Sequence, residues 1–282
     1  MINNLKFKFT WEETIEILRN DPVHKELIFN SYLDENNEYN CERFFQSLEF
    51  KAVQRIIEKK TFGRNILDLA AGNGIATYAF AKLGFNVSSV EPNQSQSVGR
   101  GAINEMLSKS GLKAEVIDAY GENLPFPSNT FDIVYVRQGL HHASNLNRML
   151  LEISRVLRPS GMLLACREHV IDNYNISLNS FLDSQIDHQF YGGEYAYTLK
   201  DYRKAITNSE LLIIKEYKPF ESIINIYPSS IEHINNKILQ SYQGKILTQI
   251  FGANKTIAIG KWYLNRKSNP GRLYTFIAVK KN

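Results

Sequence analysis

The chain has few cysteines and no long apolar run, and each shortage excludes a class of protein. Cys41 and Cys166 are the two cysteines in 282 residues. They form no CxxC pair, which argues against a disulfide framework and against a thiolate zinc site. No apolar run approaches the ~20 residues that cross a bilayer, so we expect no membrane span. The start, MINNLKFKFTWEE, lacks the apolar core of a signal peptide, and we expect a cytoplasmic protein.

Acidic residues are missing from the last part of the chain. From position 233 to the end there are nine Lys and Arg residues and no Asp or Glu, whereas the remaining 232 residues carry 24 basic and 29 acidic side chains. A basic segment can attract an anionic substrate, nucleic acid or lipid head groups. We favour a solvated basic face. Nucleic acid is disfavoured because aromatic residues are not interleaved with the basic ones.

What is present is an ordinary globular composition, 43% hydrophobic and 22% charged. Residues 1–60 have helical periodicity and are predicted to form a lid. In residues 61–282 short apolar segments alternate with amphipathic ones, which predicts a doubly wound α/β domain with right-handed crossovers. Within that domain, residues 172–197 are predicted to be an acceptor loop and residues 218–270 a helical insertion before the last strand.

Individual strands and helices follow from the same patterns. Strands are predicted at 65–70, 86–91, 114–117, 131–136, 162–166, 211–217 and 272–279. One N-terminal helix is predicted from Glu42 to Lys59. Near the C-terminus six residues share one helical face: Ile231, Ile234, Ile238, Tyr242, Ile246 and Ile250. We expect this face to pack on the body of the protein, with a lid or a homodimer interface as alternatives.

The strongest local signal is DLAAGNG, residues 68–74, between a predicted strand and a predicted helix. Gly72 and Gly74 allow positive φ angles and a close approach of backbone to a ligand. The helix that follows presents N–H groups without helical partners. Glu91 ends the next strand, where an acid can take both hydroxyls of a ribose. These features together predict a cofactor with a nucleoside part.

Two details favour S-adenosylmethionine over a dinucleotide as that cofactor. The dinucleotide fingerprint GxGxxG needs glycine at position 77, where this chain has Thr77. Asp68 also precedes the loop, and its carboxylate repels a pyrophosphate but attracts an amino or sulfonium group. S-adenosylhomocysteine would then be the product.

Four segments, taken together, resemble the class I methyltransferases of the ubiquinone/menaquinone and small-molecule type. They are ILDLAAGNG, the strand-end Glu91, ENLPFPSNTFDIVYVRQGLHH and EISRVLRPSGMLL, and they span residues 65–168 in the usual order. The resemblance implies a seven-stranded Rossmann-like sheet with one antiparallel edge strand. It also implies methyl transfer from S-adenosylmethionine to a small-molecule acceptor. The chain lacks the [DNS]PP[YFW] motif after the fourth strand, which disfavours adenine and glutamine amino groups as acceptors.

By position, the resemblance also implies the cofactor-binding residues. They are Asp68, Ala70, Gly72, Gly74, Glu91, Pro92, Asn93, Tyr120, Gly121, Glu122, Arg137 and Gln138. The glycine loop would line the amino-acid part of the cofactor, Glu91 would hold the ribose, and Arg137 and Gln138 would lie beside the methionine moiety. Tyr120 departs from the acidic or small polar residue usual at its position. It would stack on the adenine, or the adenine contact would shift to Glu122.

A hydroxyl acceptor needs a base that takes its proton, and histidine suits this role at neutral pH. His141 and His142 follow the fourth strand and are the candidates, and we expect one to act while the other packs. Further candidates for contact with the acceptor are Tyr32, Glu168, His169, His188 and Tyr191. We expect no metal, because the adjacent Asp187 and His188 are not a typical chelating pair.

The leading hypothesis is O-methylation of a small-molecule or carbohydrate-type acceptor. Methylation of RNA or another anionic macromolecule is one alternative. A non-catalytic cofactor-binding subunit is another, because a fold does not prove activity.

Overall fold

One mixed sheet forms the centre of the computed structural model, which describes residues 9–59, 63–172, 182, 190–192, 195–267 and 271–281. The strands are β1 (Asn65–Leu69), β2 (Asn86–Val90), β3 (Glu115–Ile117), β4 (Phe131–Arg137), β5 (Leu157–Ile171), β6 (Tyr197–Thr198), β7 (Leu211–Tyr217) and β8 (Arg272–Lys280). Their order is β3-β2-β1-β4-β5-β8-β7, and β6 pairs with β5 off this path. Among the described strands only β8 runs antiparallel to its neighbours.

This topology confirms the predicted fold class, with two differences. The sheet has eight strands instead of seven, because the short strand β6 pairs with β5. The antiparallel strand β8 lies inside the sheet between β5 and β7, and β7 forms the edge. Because β1, β2, β4 and β5 are parallel, their carboxyl ends meet at one edge, where ligands bind in doubly wound sheets.

Helices cover both faces of this sheet. They are α1 (Trp11–Asn20), α2 (Lys25–Asn30), α3 (Asn37–Gln46), α4 (Leu48–Glu58), α5 (Ile75–Lys82), α6 (Arg100–Ser110), α7 (Leu146–Val156), α8 (Leu199–Asn208), α9 (Ile223–Ile226), α10 (Ile231–Gln240), α11 (Tyr242–Phe251) and α12 (Ala253–Arg266). Short 3₁₀ helices lie at Pro22–His24 and Leu140–His142. Within the described residues, no helix is long and apolar enough to cross a membrane.

Alternation along the central strands supplies a core on each face. In β4, Val134 and Val136 pack with α7 and α8, whereas Ile133 and Tyr135 pack with α3 to α6. All of β4 except its last residue is buried, as expected for a parallel strand covered on both faces. The two cores hold the carboxyl ends of the strands, and therefore the residues that follow them, in fixed positions.

The helix predicted from Glu42 to Lys59 is in fact two helices that meet at Ser47. Ser47 has extended backbone, and its Oγ accepts a hydrogen bond from the N–H of Phe50, 3.0 Å away. A serine cap satisfies one of the N–H groups that a helix start leaves without a partner. After the break, the buried face of α4 consists chiefly of Phe50, Val53 and Ile57, whereas Leu48 is exposed.

The predicted packing of the C-terminal helical face on the body is wrong. Ser241 separates α10 from α11, and its side chain caps α11. Of the six residues on the predicted face, only Ile238 is buried, whereas Tyr242 is 78% exposed and Ile250 is 64% exposed. The helices α10, α11 and α12 pack chiefly on one another.

Candidate functional site

The loop between β1 and α5 has an unusual backbone. Ala70, Gly72 and Gly74 have φ angles of 57°, 56° and 84°, all in the left-handed region that favours glycine. A Cβ at Gly74 would lie 2.9 Å from the side chain of Ile103, so this position has no room for a side chain. A Cβ at Gly72 would meet no atom within 4 Å. The backbone of the loop is therefore open to a ligand at Gly72.

Asp68 lies beneath this loop and is 2% exposed. Its Oδ2 accepts a hydrogen bond from Thr77 Oγ1 at 2.6 Å, and Thr77 Oγ1 lies 2.6 Å from Ser89 Oγ. Burial raises the pKa of Asp68 to about 6, while the bonds from Thr77 lower it. Thr77, which entered the sequence argument only as a missing glycine, thus ties β1, β2 and α5 together. The predicted contact of Asp68 with the cofactor stays a prediction.

Glu91 joins the end of β2 to the glycine loop. Its Oε2 accepts from the N–H of Gly72 at 2.7 Å, and its Oε1 accepts from the N–H of Asn93 at 2.9 Å. Burial raises its pKa, since the carboxylate is 8% exposed. Each carboxylate oxygen can accept a second bond, so the two can still bind a pair of ribose hydroxyls. Pro92 and Asn93 continue the same rim.

The segment after β3 has one exposed aromatic and two constrained neighbours. Tyr120 is 69% exposed. At Gly121 a Cβ would lie 2.8 Å from Met149. The carboxylate of Glu122 accepts hydrogen bonds from the backbone N–H and the hydroxyl of Ser144, at 2.8 and 2.9 Å. Glu122 therefore fixes the loop that carries the two histidines, and Tyr120 is the accessible one of the two adenine-contact candidates.

A histidine and a glutamate meet in the interior where β4 and β5 end. The Nδ1 of His141 lies 3.1 Å from Glu168 Oε2, with His141 2% exposed and Glu168 fully buried. Glu168 also accepts from the N–H groups of Gly139 at 3.1 Å and of His141 at 3.3 Å. Burial raises the pKa of Glu168 to about 7 and lowers that of His141 well below its usual range. A neutral His141 that donates from Nδ1 carries its basic lone pair on Nε2.

Two more histidines surround His141. The ring centroid of His142 lies 4.3 Å from that of His141, and the ring of His169 lies 4.8 Å away at 88°. His142 is exposed. Burial raises the pKa of both Glu91 and Glu168; after the backbone bonds, and for Glu168 after His169, proximity to His142 lowers both. His142 therefore lies near the ribose acid as well as the buried pair. His169 places Nδ1 3.1 Å from the carbonyl of Gly271, and burial lowers its pKa to about 3.

A bulge in β5 sets the position of Glu168. Strand pairing shifts between Ala165 and Glu168, and Arg167 has a φ of 61°. If side chains alternated regularly through this segment, Glu168 would share the face of Cys166 and point away from His141; the bulge returns it to the face of Ala165. Arg167 instead donates to the carbonyls of Ile224 and Tyr227 at 2.7 and 2.8 Å.

Arg137 faces the N-terminal helices. Its Nε donates to Glu49 Oε1 at 2.7 Å and its Nη2 to Glu49 Oε2 at 3.2 Å, while its Nη1 donates to Gln138 at 2.9 Å. Burial opposes the charge of Arg137, yet Glu49 raises its pKa above the ordinary value. Glu49 is not among the site residues predicted from the sequence. Its signal was an acidic residue on the buried face of an amphipathic helix.

The N-terminal segment reaches the glycine loop through Tyr32 and Asn37. Asn73 donates from Nδ2 to the carbonyl of Tyr32 at 2.7 Å and to Asn37 Oδ1 at 2.8 Å, and Asn37 donates back to the carbonyl of Asn73 at 2.8 Å. Tyr32 is 1% exposed, and its ring packs on Phe44. Of the acceptor candidates, Tyr32 is thus held in the interior beside the loop.

The acceptor loop is described only in part. Tyr191 packs on Trp11 with ring centroids 5.8 Å apart, and the N–H of Tyr195 donates to the carbonyl of His141 at 3.1 Å. These contacts join α1 and this loop on the histidine side of the site. Asp187, His188 and Glu194 lie outside the described residues. Among the described residues, no group of three His, Cys, Asp or Glu side chains is placed to hold a metal ion.

An acid at the end of β2, bonded to a glycine loop after β1, defines a Rossmann-like domain for a nucleoside cofactor. Residues 67–165, which carry the glycine loop and Glu91, match the family described as a methyltransferase domain, and this match supports a class I S-adenosylmethionine-dependent methyltransferase. A solved structure of similar fold, Haemonchus contortus phosphoethanolamine N-methyltransferase 2, holds S-adenosyl-L-methionine. These findings support the family, the enzyme class and the cofactor predicted from the sequence.

Known relatives agree on the domain and differ in reaction. The ubiquinone/menaquinone biosynthesis C-methyltransferase UbiE of Hahella chejuensis is 38% identical over 107 residues, which covers 36% of this chain and 42% of that enzyme. The chain thus matches less than half of that relative's length. Haemonchus contortus phosphoethanolamine N-methyltransferase 2, with S-adenosylhomocysteine bound, superposes with a TM-score of 0.56 at 17% identity, over 90% of this chain and 60% of that one. The [4+2]-cyclase SpnF superposes with a TM-score of 0.55 at 17% identity, over 82% and 81%.

The described residues fit the cofactor. Gly72 leaves the loop backbone open, and Glu91 keeps two accepting positions at the strand end.

Replacing Glu91 with alanine is expected to weaken S-adenosylhomocysteine binding about 10- to 100-fold, since hydrogen bonds to a charged group contribute about 1.5–3 kcal/mol. Titration calorimetry measures this loss. Glu115→Ala, an exposed acid on β3, is the matched control, and equal affinity for both variants would remove Glu91 from the ribose site.

Proposed function

We propose that this protein methylates a hydroxyl oxygen of a small-molecule acceptor, of phenol or carbohydrate type, with His141 as the base and Glu168 as the residue that positions it. The observation that carries the proposal is the buried contact of 3.1 Å between His141 Nδ1 and Glu168. A carboxylate at Nδ1 fixes the ring and its tautomer, and it stabilises the imidazolium that forms when Nε2 takes a proton. The ring of His142 packs on that of His141, and the N–H of Tyr195 donates to the carbonyl of His141; both would help to exclude water from the pair.

When bound, S-adenosylmethionine supplies a methyl group that its sulfonium has already activated. Glu91 and the glycine loop would hold the nucleoside and amino-acid parts. Asp68, Ala70, Gly74, Pro92, Asn93, Gly121, Glu122, Arg137 and Gln138 would shape or support that pocket, and Tyr120 would cover the adenine. His141 would take the hydroxyl proton onto Nε2 as the oxygen becomes nucleophilic, which is the work that a hydroxyl acceptor requires of the protein.

A second candidate is methylation of a ring carbon beside a phenolic hydroxyl. The name of the Hahella chejuensis relative, a quinone-pathway C-methyltransferase, favours it. The same base would serve, because loss of the phenolic proton also makes the neighbouring carbon nucleophilic. The protein's contribution is therefore the same for both products, and only the atom presented by the acceptor differs.

Two measurements test the proposal. Calorimetric titration with S-adenosylhomocysteine, beside NAD, should show binding of the first ligand alone. Incubation with ¹³C-methyl-labelled S-adenosylmethionine and a panel of phenols and sugars should then give a labelled product. Its carbon chemical shift separates an O-methyl from a C-methyl group. Cofactor binding without labelled product in any hydroxylated acceptor would favour a non-catalytic cofactor-binding subunit.

The proposed pair also predicts a pH dependence. Glu168 can accept the Nδ1 proton of His141 only when ionised, and burial raises its pKa to about 7. We expect kcat/KM to rise as pH passes upward through about 7, because the lowered pKa of His141 keeps that ring neutral over this range. The measurement is a pH–rate profile of the protein and of Glu168→Gln. A rising limb that survives in Glu168→Gln would exclude Glu168 as its source.

A further inference from the structure

The helices α10 to α12 form an insertion in which most of the large apolar side chains are exposed. Among its described residues, 231–267, the buried ones within helices are Ile238, Gly244 and Thr256. Eight large apolar side chains are at least 39% exposed: Ile231, Tyr242, Ile246, Ile250, Phe251, Ile259, Trp262 and Tyr263. A patch of this kind on a folded protein marks a surface that binds a partner.

Seven of these side chains form the surface that we call the exposed face of α11 and α12: Tyr242, Ile246, Ile250, Phe251, Ile259, Trp262 and Tyr263. On α11, Tyr242, Ile246 and Ile250 recur every four residues, which aligns them along one side of the helix. On α12, Ile259 and Tyr263 have the same spacing. The two helices pack on each other, joined at Gly252.

The charge of the insertion selects the partner. Residues 231–267 contain one acidic residue, Glu232, and six cations: Lys237, Lys245, Lys255, Lys261, Arg266 and Lys267. A second copy would bring the same positive face against this one, which opposes a homodimer through it. Four side chains of the face are aromatic and could stack on bases, but Ile246, Ile250 and Ile259 offer RNA no stacking surface, which favours lipid over RNA. Aliphatic and aromatic side chains mixed with lysines are the composition of helices that lie in the interface of an anionic membrane.

The insertion also leaves the sheet at the edge that carries the candidate site. It follows β7, whose last residue Tyr217 pairs with Thr275, and the neighbouring Tyr274 pairs with Glu168. At its other end, Asn265 accepts from the N–H of Phe220 at 3.0 Å and from Arg272 at 3.1 Å. These bonds tie the end of α12 to β8 and to the segment that follows β7.

We propose that the exposed face of α11 and α12 docks the protein on an anionic lipid surface. The apolar side chains enter the boundary between head groups and acyl chains, and the lysines contact the lipid phosphates and carboxylates. The docking is peripheral, because no helix in the described part of the chain can cross a bilayer. The surface stands on its own observations, separate from the reaction proposed above. It would place the histidine edge of the sheet near molecules dissolved in the membrane interface.

The test is flotation of the full chain with vesicles. We expect binding to vesicles of equimolar phosphatidylcholine and phosphatidylserine, weaker binding to phosphatidylcholine alone, and release by salt. Ile246→Glu combined with Ile250→Glu should weaken binding about tenfold or more, because two acyl-facing side chains gain a charge of the repelled sign. The matched control is Leu151→Glu on α7, where the native residue is 46% exposed against 43% for Ile246.

Calorimetric titration with S-adenosylhomocysteine shows that each variant is folded and keeps its cofactor site, independently of turnover. The proposal fails if the native chain does not float with the anionic vesicles, or if the double variant floats as well as Leu151→Glu. A dimer in sedimentation that the double variant abolishes, without vesicle binding, would assign the face to a second copy. Binding to a single-stranded RNA oligomer, with no vesicle binding, would assign it to nucleic acid.

Discussion

Replacing His141 with alanine is expected to lower kcat by about 10²- to 10⁴-fold, the usual contribution of a positioned general base. Affinity for S-adenosylhomocysteine should change little, because the ring contacts Glu168 and the neighbouring histidines while Glu91 lies on the ribose side. Steady-state kinetics at saturating concentrations of an acceptor found by the labelling screen measure kcat, and calorimetry measures the affinity for S-adenosylhomocysteine.

Two further variants separate the base from its supports. Glu168→Gln should lose nearly as much kcat as His141→Ala, since an amide at Nδ1 no longer fixes the tautomer. The double variant should lose little beyond either single one, because residues that act as a unit are not additive. A larger loss in His142→Ala than in His141→Ala would transfer the role of base to His142.

Glu49→Ala is expected to lower the free energy of unfolding by about 3–5 kcal/mol, which is the cost of breaking a buried ion pair and leaving its charge behind. Glu49 is fully buried, and both Arg137 and Arg167 reach it, at 2.7 and 3.7 Å. Removing the carboxylate would leave the positive charges of Arg137 and Arg167 without their carboxylate partner Glu49 in the interior between α4 and the sheet. Urea denaturation measures the change.

Glu105→Ala is the control for this loss of stability. Glu105 pairs with Lys109 at 2.7 Å on the surface of α6, and exposed pairs of this spacing contribute about 0.3–0.5 kcal/mol. The comparison removes one carboxylate from a helix in each case, and only the burial of the pair differs. Equal destabilisation of the two variants would show that Glu49 does not compensate the buried arginines.

Local patterns predicted the central sheet well. The strand at 211–217 has the predicted limits, since Ser209-Glu210 separates it from the helix that Thr198 opens with a capping box. The break at Ser47 was missed because the apolar period of α3 continues smoothly into α4, and a serine is also tolerated inside a helix. Capping by Ser47 outweighs that continuity once Phe44 and Phe50 both find core positions.

The site was predictable where it depends on one strand end at a time. The glycine loop follows β1 and Glu91 follows β2, as predicted, and these parallel strands are neighbours, so the two lie at the same edge of the sheet. The partners of His141 and Arg137 were not predictable, because Glu168 and Glu49 come from distant parts of the chain. The pairing of Glu168 further depends on the bulge at Arg167, which alternation along β5 does not reveal. The limits of the N-terminal lid and of the acceptor loop remain predictions.

Asn37 and Asn73 donate hydrogen bonds to each other, and these bonds couple the stability of the cofactor loop to that of the N-terminal helices. Any change in the free energy of one of them is carried to the other, and such coupling is equal in both directions. A ligand that orders the loop around Gly72 therefore also protects α3 and the residues near Tyr32 from opening. Conversely, a change that loosens α3 weakens ligand binding without touching a ligand contact.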